Sequence, residues 1–219
     1  MSEGLWQRGL EQLRHAWLRH RLTSSEFAHL LLPAPEQEWV SLDCETTGLK
    51  VGHDEIIAVG AVRIVGDRVL ASESLQLRVR PSRRVSAQSI RIHQLRDMDV
   101  ADGMAPEQAV RQLLHFIGPR PLVGYYLEFD VAMLNQVVLP LIGLRLPQRQ
   151  IEVSALYHRW KIRQLPLHLQ HAPPQIDLRL DTLMRDLGLP RRKAHDPLND
   201  AVMAALAFIK LRHLLAAKA

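Results

Sequence analysis

Cysteine is almost missing from this chain: Cys44 is the only one in 219 residues. A lone thiol cannot pair within the chain, which excludes an internal disulfide framework and fits a reducing compartment. Cys44 itself is expected to be a small core residue rather than a nucleophile. Aromatic residues make up only 5%, too few for a broad base-stacking sheet of the single-strand-binding kind. No run approaches the ~18 uncharged apolar residues of a membrane span, and "MSEGLWQRGLEQLRHAWLRH" is charged throughout, unlike a signal peptide. A cytoplasmic protein without a membrane partner is the expectation. Internal repeats and low-complexity tracts are also missing.

What is present is a hydrophobic content of 47%, enough for one catalytic-sized domain with an appendage. The formal net charge is +5, carried mostly by arginine, with a sequence pI of 9.8. Such a balance favours a polyanionic partner, because phosphate contacts supply most non-specific nucleic-acid affinity.

Leu5, Trp6, Leu10, Leu13, Trp17 and Leu18 recur at helical spacing, and "TSSEF" supplies a helix start with Ser24 or Ser25 as cap. "LLPAPEQE" then breaks the pattern. The division expected is an N-terminal helical arm, residues 1–35, whose tryptophans pack on the parent domain, and a main domain, residues 36–219. Within the latter, a strand at 39–45 precedes "EIIAVGAVRIV" and "RVLASESLQLRV", two β-rich runs joined by a Gly66-Asp67 hairpin turn. A helix over 106–117, a short strand in "RPLVGYY", helices at 129–139, 154–162 and 177–188, a strand near Ile151 and a buried helix from Pro197 to about Leu215 follow. A meander followed by alternating strands and helices predicts an α/β fold with a mixed sheet covered on both faces.

The first strand contains the chemistry. In "WVSLDCETTGL" the period of 2 puts Ser41, Asp43 and Glu45 on one face and Val40, Leu42 and Cys44 on the other. Two neighbouring carboxylates call for a cation between them, unless the strand is an exposed edge whose acids are merely solvated. Asp130 opens a helix after a short strand, where open α/β sheets build their sites. In "KAHDPLNDA", Asp196 suits the cap of the last helix, Pro197 its first position, and Asp200 falls in its first turns on an apolar surface.

"DCETTGL", "FD" at 129–130 and "HDPLNDA", in that order, resemble the three motifs of the DEDDh exonucleases, the DnaQ-like group related to the epsilon proofreading subunit of bacterial DNA polymerase III. The likeness extends over roughly residues 38–212 through "DEIIAVGAVRIVGDRV", "RVSAQSIRIHQL" and "LDTLMRDLGLPRRKAH". It implies an RNase H-like mixed five-stranded sheet flanked by helices and metal-dependent 3′→5′ hydrolysis of nucleic-acid 3′ ends, single-stranded DNA foremost, in repair or replication. Two Mg²⁺ or Mn²⁺ ions roughly 4 Å apart would activate the attacking water and steady the leaving 3′ oxygen. Asp43 would bridge them, Glu45 and Asp200 would complete the nucleophile side, Asp130 would hold the other ion, and all-oxygen ligands argue against zinc. His195 would be the general base, or else a surface histidine among basic neighbours. Thr46, Thr47 and His93 would contact the terminal nucleotide, with a plain capping role open for His93.

One departure stands out: the family commonly has "HN" before its "FD", where this chain has Tyr125-Tyr126. Tyr126 would then pack on the terminal sugar or base. The short segment after the last helix leads to the expectation of a free-standing exonuclease, or one acting in repair or RNA processing. An exoribonuclease and a non-catalytic 3′-end binding module are the alternatives, and four acids beside phosphates disfavour the second. Finally, Gln164, Leu165, Leu167 and Leu169 in "QLPLHL" resemble the hexapeptide with which bacterial proteins dock on the sliding clamp. Pro166 favours an extended, exposed segment there, whose leucines could instead anchor the loop to the domain.

Overall fold

The computed structural model describes residue 13 and residues 16–171, 173–193 and 195–217. Leu5, Trp6 and Leu10 of the expected arm lie outside the described residues. The β-branched and aliphatic runs form β1 (Glu38–Thr46), β2 (Ile56–Val65), β3 (Arg68–Arg78), β4 (Leu122–Gly124) and β5 (Gln150–Glu152). They make one five-stranded sheet in the order β3-β2-β1-β4-β5. β1, β2 and β3 are an antiparallel meander, whose second turn is Gly66-Asp67 between the paired Val65 and Arg68. Gly66 takes φ +58 there, a value that glycine adopts without steric penalty. β4 joins β1 and β5 joins β4 in parallel. β1 is therefore the central strand, which disposes of the solvated-edge alternative for Asp43 and Glu45.

Helices cover both faces. Along the chain they are α1 (Ala87–His93), α2 (Asp97–Val100), α3 (Pro106–Ile117), α4 (Leu127–Ile142), α5 (Val153–Arg163), α6 (Leu167–Gln170), α7 (Leu180–Asp186) and α8 (Pro197–Ala216). Val40, Leu42 and Cys44 of β1 pack with Leu113, Leu134 and Ile142 of α3 and α4. On the other face Ile64 and Val123 meet α8 through Ala201, Ala205 and Phe208. Ser41 ties β1 to that helix, its hydroxyl donating to the Ala201 carbonyl at 2.7 Å. The start of α8 presses on β2 at Gly60, where a Cβ would lie 2.2 Å from backbone atoms of Pro197 and Leu198. Only glycine permits that approach, and it brings the acids at the head of α8 over the end of β1.

Three expectations need correction. The arm is not separate along its length: Ser24 caps a 3-10 helix, Ser25–Leu31, and Phe27, Leu30 and Leu31 are buried in the α3–α4 core. Trp17 does not pack on the domain but is 56% exposed, with the Arg21 guanidinium over its ring. The segment around Pro166 is not extended. Gln164 closes α5 in helical conformation, and Leu167–Gln170 forms one helical turn with Pro166 as its N-cap, a place where the missing N–H of proline is harmless.

Candidate active site

β1 delivers Asp43 and Glu45 to the C-terminal end of the central strand, on the face that α8 covers. Glu45 is buried and Asp43 half-buried. α4 brings in Asp130 from its first turn; its side chain is buried and Oδ1 accepts from the Cys44 backbone N–H at 3.0 Å. Asp196 N-caps α8 by accepting from the Asn199 N–H at 3.0 Å, which leaves Asp200 one turn in, facing β1. Asp200 Oδ2 accepts from the His195 backbone N–H at 2.9 Å. That bond secures His195, an exposed residue at φ +62.

Electrostatics bind these residues into one unit. Burial, then the charges of Asp130, Asp200 and Glu45, push Asp43 well above the usual carboxylate range. Burial, with Glu45 and Glu152 nearby, does the same to Asp130 against the hydrogen bond from Cys44. Glu45 is pushed up to about 7 by burial and by Asp200 and Asp196, and burial raises Asp200 as well. Negative charges crowded in a low-dielectric site destabilise their own ionised forms, and a cation relieves this. One oxygen of each of Glu45 and Asp200 and a ring nitrogen of His195 lie within 4.8 Å of one another. Asp200 Oδ1 is buried without a hydrogen-bond partner among the described residues. An orphaned carboxylate oxygen facing further carboxylates suits a hard divalent cation.

The remaining expected residues divide. His93 is buried at the end of α1, with Nδ1 accepting from the Leu95 N–H at 3.0 Å and Nε2 without a hydrogen-bond partner among the described residues. Burial and the nearby His195 lower its pKa. His93 and His195 share the wall of a pocket of ≈ 320 Å³ with Arg78, Arg96 and Lys193. Thr46 donates its hydroxyl to the Gly48 carbonyl at 2.7 Å. Thr47 is buried and committed to the fold: its N–H donates to the Glu55 carbonyl and its hydroxyl to Asp54. Tyr126 is 54% exposed and lines a groove of ≈ 1070 Å³ with Leu49, Val51, Phe129 and Arg145. Cys44 is buried, and its thiol is pushed up by burial and by Asp130 and Asp43, which bears out the core role.

Three residues that the sequence did not single out organise the rim. Asp54 accepts from Thr47 Oγ1 and from the Lys50 N–H. Gln136 of α4 accepts from the Gly52 N–H at 2.9 Å and donates to the Asp54 carbonyl at 3.2 Å. Glu152 accepts from the N–H groups of Tyr126 and Leu127. The one available signal was an acid at a strand end directly before a helix, which fits Glu152 alone.

The geometry agrees with three comparisons. Residues 40–208 match the family model described as Exonuclease. A DNA polymerase III subunit epsilon-like protein of Rhodobacter capsulatus is 31% identical over 189 residues, 85% of this chain and 25% of that protein. Among solved structures, a zinc-bound E. coli ExoI–ssDNA complex superposes with a TM-score of 0.67 at 16% identity, over 83% of this chain and 41% of the other. Exonuclease X in complex with 5′ overhanging duplex DNA gives 0.61 at 21%, over 83% and 95%. The chain thus spans a quarter of the Rhodobacter relative and under half of ExoI. The two structural likenesses show the RNase H-like fold, and no described helix is long and apolar enough to cross a membrane. The match over most of its length, with three motifs converging on one carboxylate cluster, makes this chain a member of the DnaQ-like exonuclease family.

Proposed function

We propose that the protein is a divalent-metal-dependent 3′→5′ exonuclease acting on nucleic-acid 3′ ends, with single-stranded DNA as the preferred substrate. The observation that supports it is the convergence of Asp43, Glu45, Asp130 and Asp200, each with its pKa raised and with His195 tied to Asp200. The single strand in the ExoI complex favours the same substrate class. Asp43, Glu45, Asp130 and Asp200 would hold two Mg²⁺ or Mn²⁺ ions, which when bound lower the pKa of water and offset charge on the phosphate and leaving oxygen. His195 is the general base. Its backbone is fixed by Asp200 while its ring is open to solvent, so the ring can accept a proton and release it to bulk water. His93 and Thr46 lie on the terminal-nucleotide side, and the Tyr126 ring stacks on a sugar or base from the groove side.

The test is digestion of 5′-labelled single-stranded DNA, single-stranded RNA and mispaired duplex, with Mg²⁺ or EDTA. Shortening from the 3′ end that EDTA abolishes is expected, faster on DNA than on RNA. Asp43→Ala should lower turnover by ~10² or more with the fold intact, since removal of one charge-stabilising group commonly has that effect. Near wild-type turnover by this variant would overturn the metal role, and faster RNA cleavage would make the enzyme an exoribonuclease.

Sliding-clamp docking is the further partner that the sequence suggests. Leu167, 80% exposed, favours it over the loop-anchor alternative, although α6 would have to unwind for an extended peptide to enter a groove. Gln164→Ala with Leu167→Ala should then abolish clamp binding in a pull-down with purified clamp and leave hydrolysis of short oligonucleotides unchanged. Binding that survives both changes removes the clamp from the list of partners.

A further inference from the structure

The start of α4 poses a problem that the chain solves from a distance. The first N–H groups of a helix have no partner inside it, and a capping side chain with an oxygen acceptor usually supplies one. Here the N-cap is Tyr126, which makes no side-chain capping bond. It also takes φ +55, the left-handed region that a bulky residue occupies only when its surroundings over-determine it.

Glu152 provides that constraint. It ends β5, and its backbone pairs with Gly124 at the end of β4, two residues before Tyr126. From there Oε1 accepts from the Tyr126 N–H at 3.0 Å and Oε2 from the Leu127 N–H at 2.8 Å. Oε1 also takes the Ser154 N–H at 3.0 Å and the Ser154 hydroxyl at 2.7 Å. One carboxylate therefore closes the N-termini of both α4 and α5, where the helix dipoles favour a negative charge. The Tyr125 ring, 4.5 Å from that of Tyr126 between centroids, completes the support, and its own hydroxyl is anchored on the Leu178 carbonyl at 2.8 Å.

Two functional groups depend on this helix start. Asp130 is one turn further along α4, so the placement of its carboxylate against Cys44 follows from where the helix begins. Tyr126 presents its ring at the mouth of the ≈ 1070 Å³ groove, whose wall includes Glu152 itself. We propose that Glu152 is a positioning residue for the nuclease site: it fixes the first turn of α4, and through it both the Asp130 carboxylate and the orientation of the Tyr126 ring toward the nucleic-acid strand. The inference rests on the nuclease reading above.

A residue that served the fold alone would lower the melting temperature and leave substrate parameters untouched. The test compares wild type, Glu152→Gln, Tyr126→Ala and the double variant. Four quantities are measured: melting temperature, amide hydrogen exchange at Tyr126 and Leu127, KM and kcat on 5′-labelled single-stranded DNA in Mg²⁺, and anisotropy of a labelled oligonucleotide in EDTA. Gln keeps the shape and one acceptor oxygen but removes the charge. Expected are about 10-fold faster exchange at the two amides in Glu152→Gln, a several-fold rise in KM or anisotropy Kd with a lower kcat, and no further rise in KM or Kd in the double variant, because both changes abolish the same contact. Unchanged exchange, or substrate effects that simply multiply, overturns the proposal. A wild type inactive with every metal and substrate removes the nuclease reading instead, and exchange with anisotropy still decides whether Glu152 holds Tyr126 for a strand.

Discussion

Glu45 shows what a carboxylate buried among other acids costs its own fold. Its pKa rises from an ordinary 4.5 to about 7 because burial and the charges of Asp200 and Asp196 disfavour its ionised form. The folded state thus holds this proton more tightly than the unfolded state does. The stabilisation is fully present below about pH 4.5 and is lost as pH rises through about 7, to a total of roughly 3 kcal/mol. His93, lowered mainly by burial, acts in the opposite sense, since charging it on acidification disfavours the fold. The prediction is therefore a difference between variants. Between about pH 6 and pH 8, metal-free wild type should lose melting temperature relative to Glu45→Gln, and saturating Mg²⁺ should raise wild type more than the variant, which keeps Asp43, Asp130 and Asp200. Parallel pH profiles for the two metal-free proteins would place the burden on another acid.

Elements with a long periodic signal were legible in the chain, and elements one or two turns long were not. Alternation over Val40–Glu45 showed which face carries the acids, and Pro106 with the apolar spacing after it gave α3 to its observed bounds. α1 and α2 escaped because seven and four residues are too few to establish a 3.6-residue period. α6 was read as extended because Pro166 was weighed as a breaker, whereas it stands just before the turn. The acids of the site could be found because each lies within a short motif, "DCETTGL", "FD" or "HDPLNDA". Gln136 could not, because its partners are backbone groups 84 and 82 positions away. It clamps the loop 47–55 to α4, and that loop sets Leu49 and Val51, both well exposed, beside the groove. Gln136→Ala removes both hydrogen bonds to the loop backbone, at about 1 kcal/mol each. KM for single-stranded DNA should rise about 5-fold or more while kcat falls less than 2-fold, since the acids are placed by β1, α4 and α8. An effect confined to kcat would show that the loop acts on the chemistry and not on binding.

Across the whole molecule, the N-terminal segment decides where the domain begins. Two large clusters and a smaller one at Ile57, Val85 and Val100 pack against the sheet, and the α3–α4 layer is incomplete without residues contributed from before β1. Phe27, Leu30 and Leu31 are at most 6% exposed, the Thr23 N–H donates to the Ile142 carbonyl at 3.0 Å, and Glu26 forms an ion pair with Arg111 and a hydrogen bond with His115 of α3. Each large apolar side chain contributes about 1.5 to 3 kcal/mol on burial, and a whole domain is stable by only ~5 to 15 kcal/mol. Three such residues therefore account for much of that margin. Cutting the chain before residue 36, at the boundary suggested by the sequence, should give a protein that is unfolded or melts far below the full chain. Phe27→Ala alone should destabilise by about 3 to 5 kcal/mol, the usual range for a buried aromatic. Trp17→Ala, at a site that is largely exposed, should stay within about 0.5 kcal/mol. Melting curves for the three proteins decide the matter: a truncated chain as stable as the full one would make the segment a detachable arm, and its core contacts dispensable to the sheet that carries the acids.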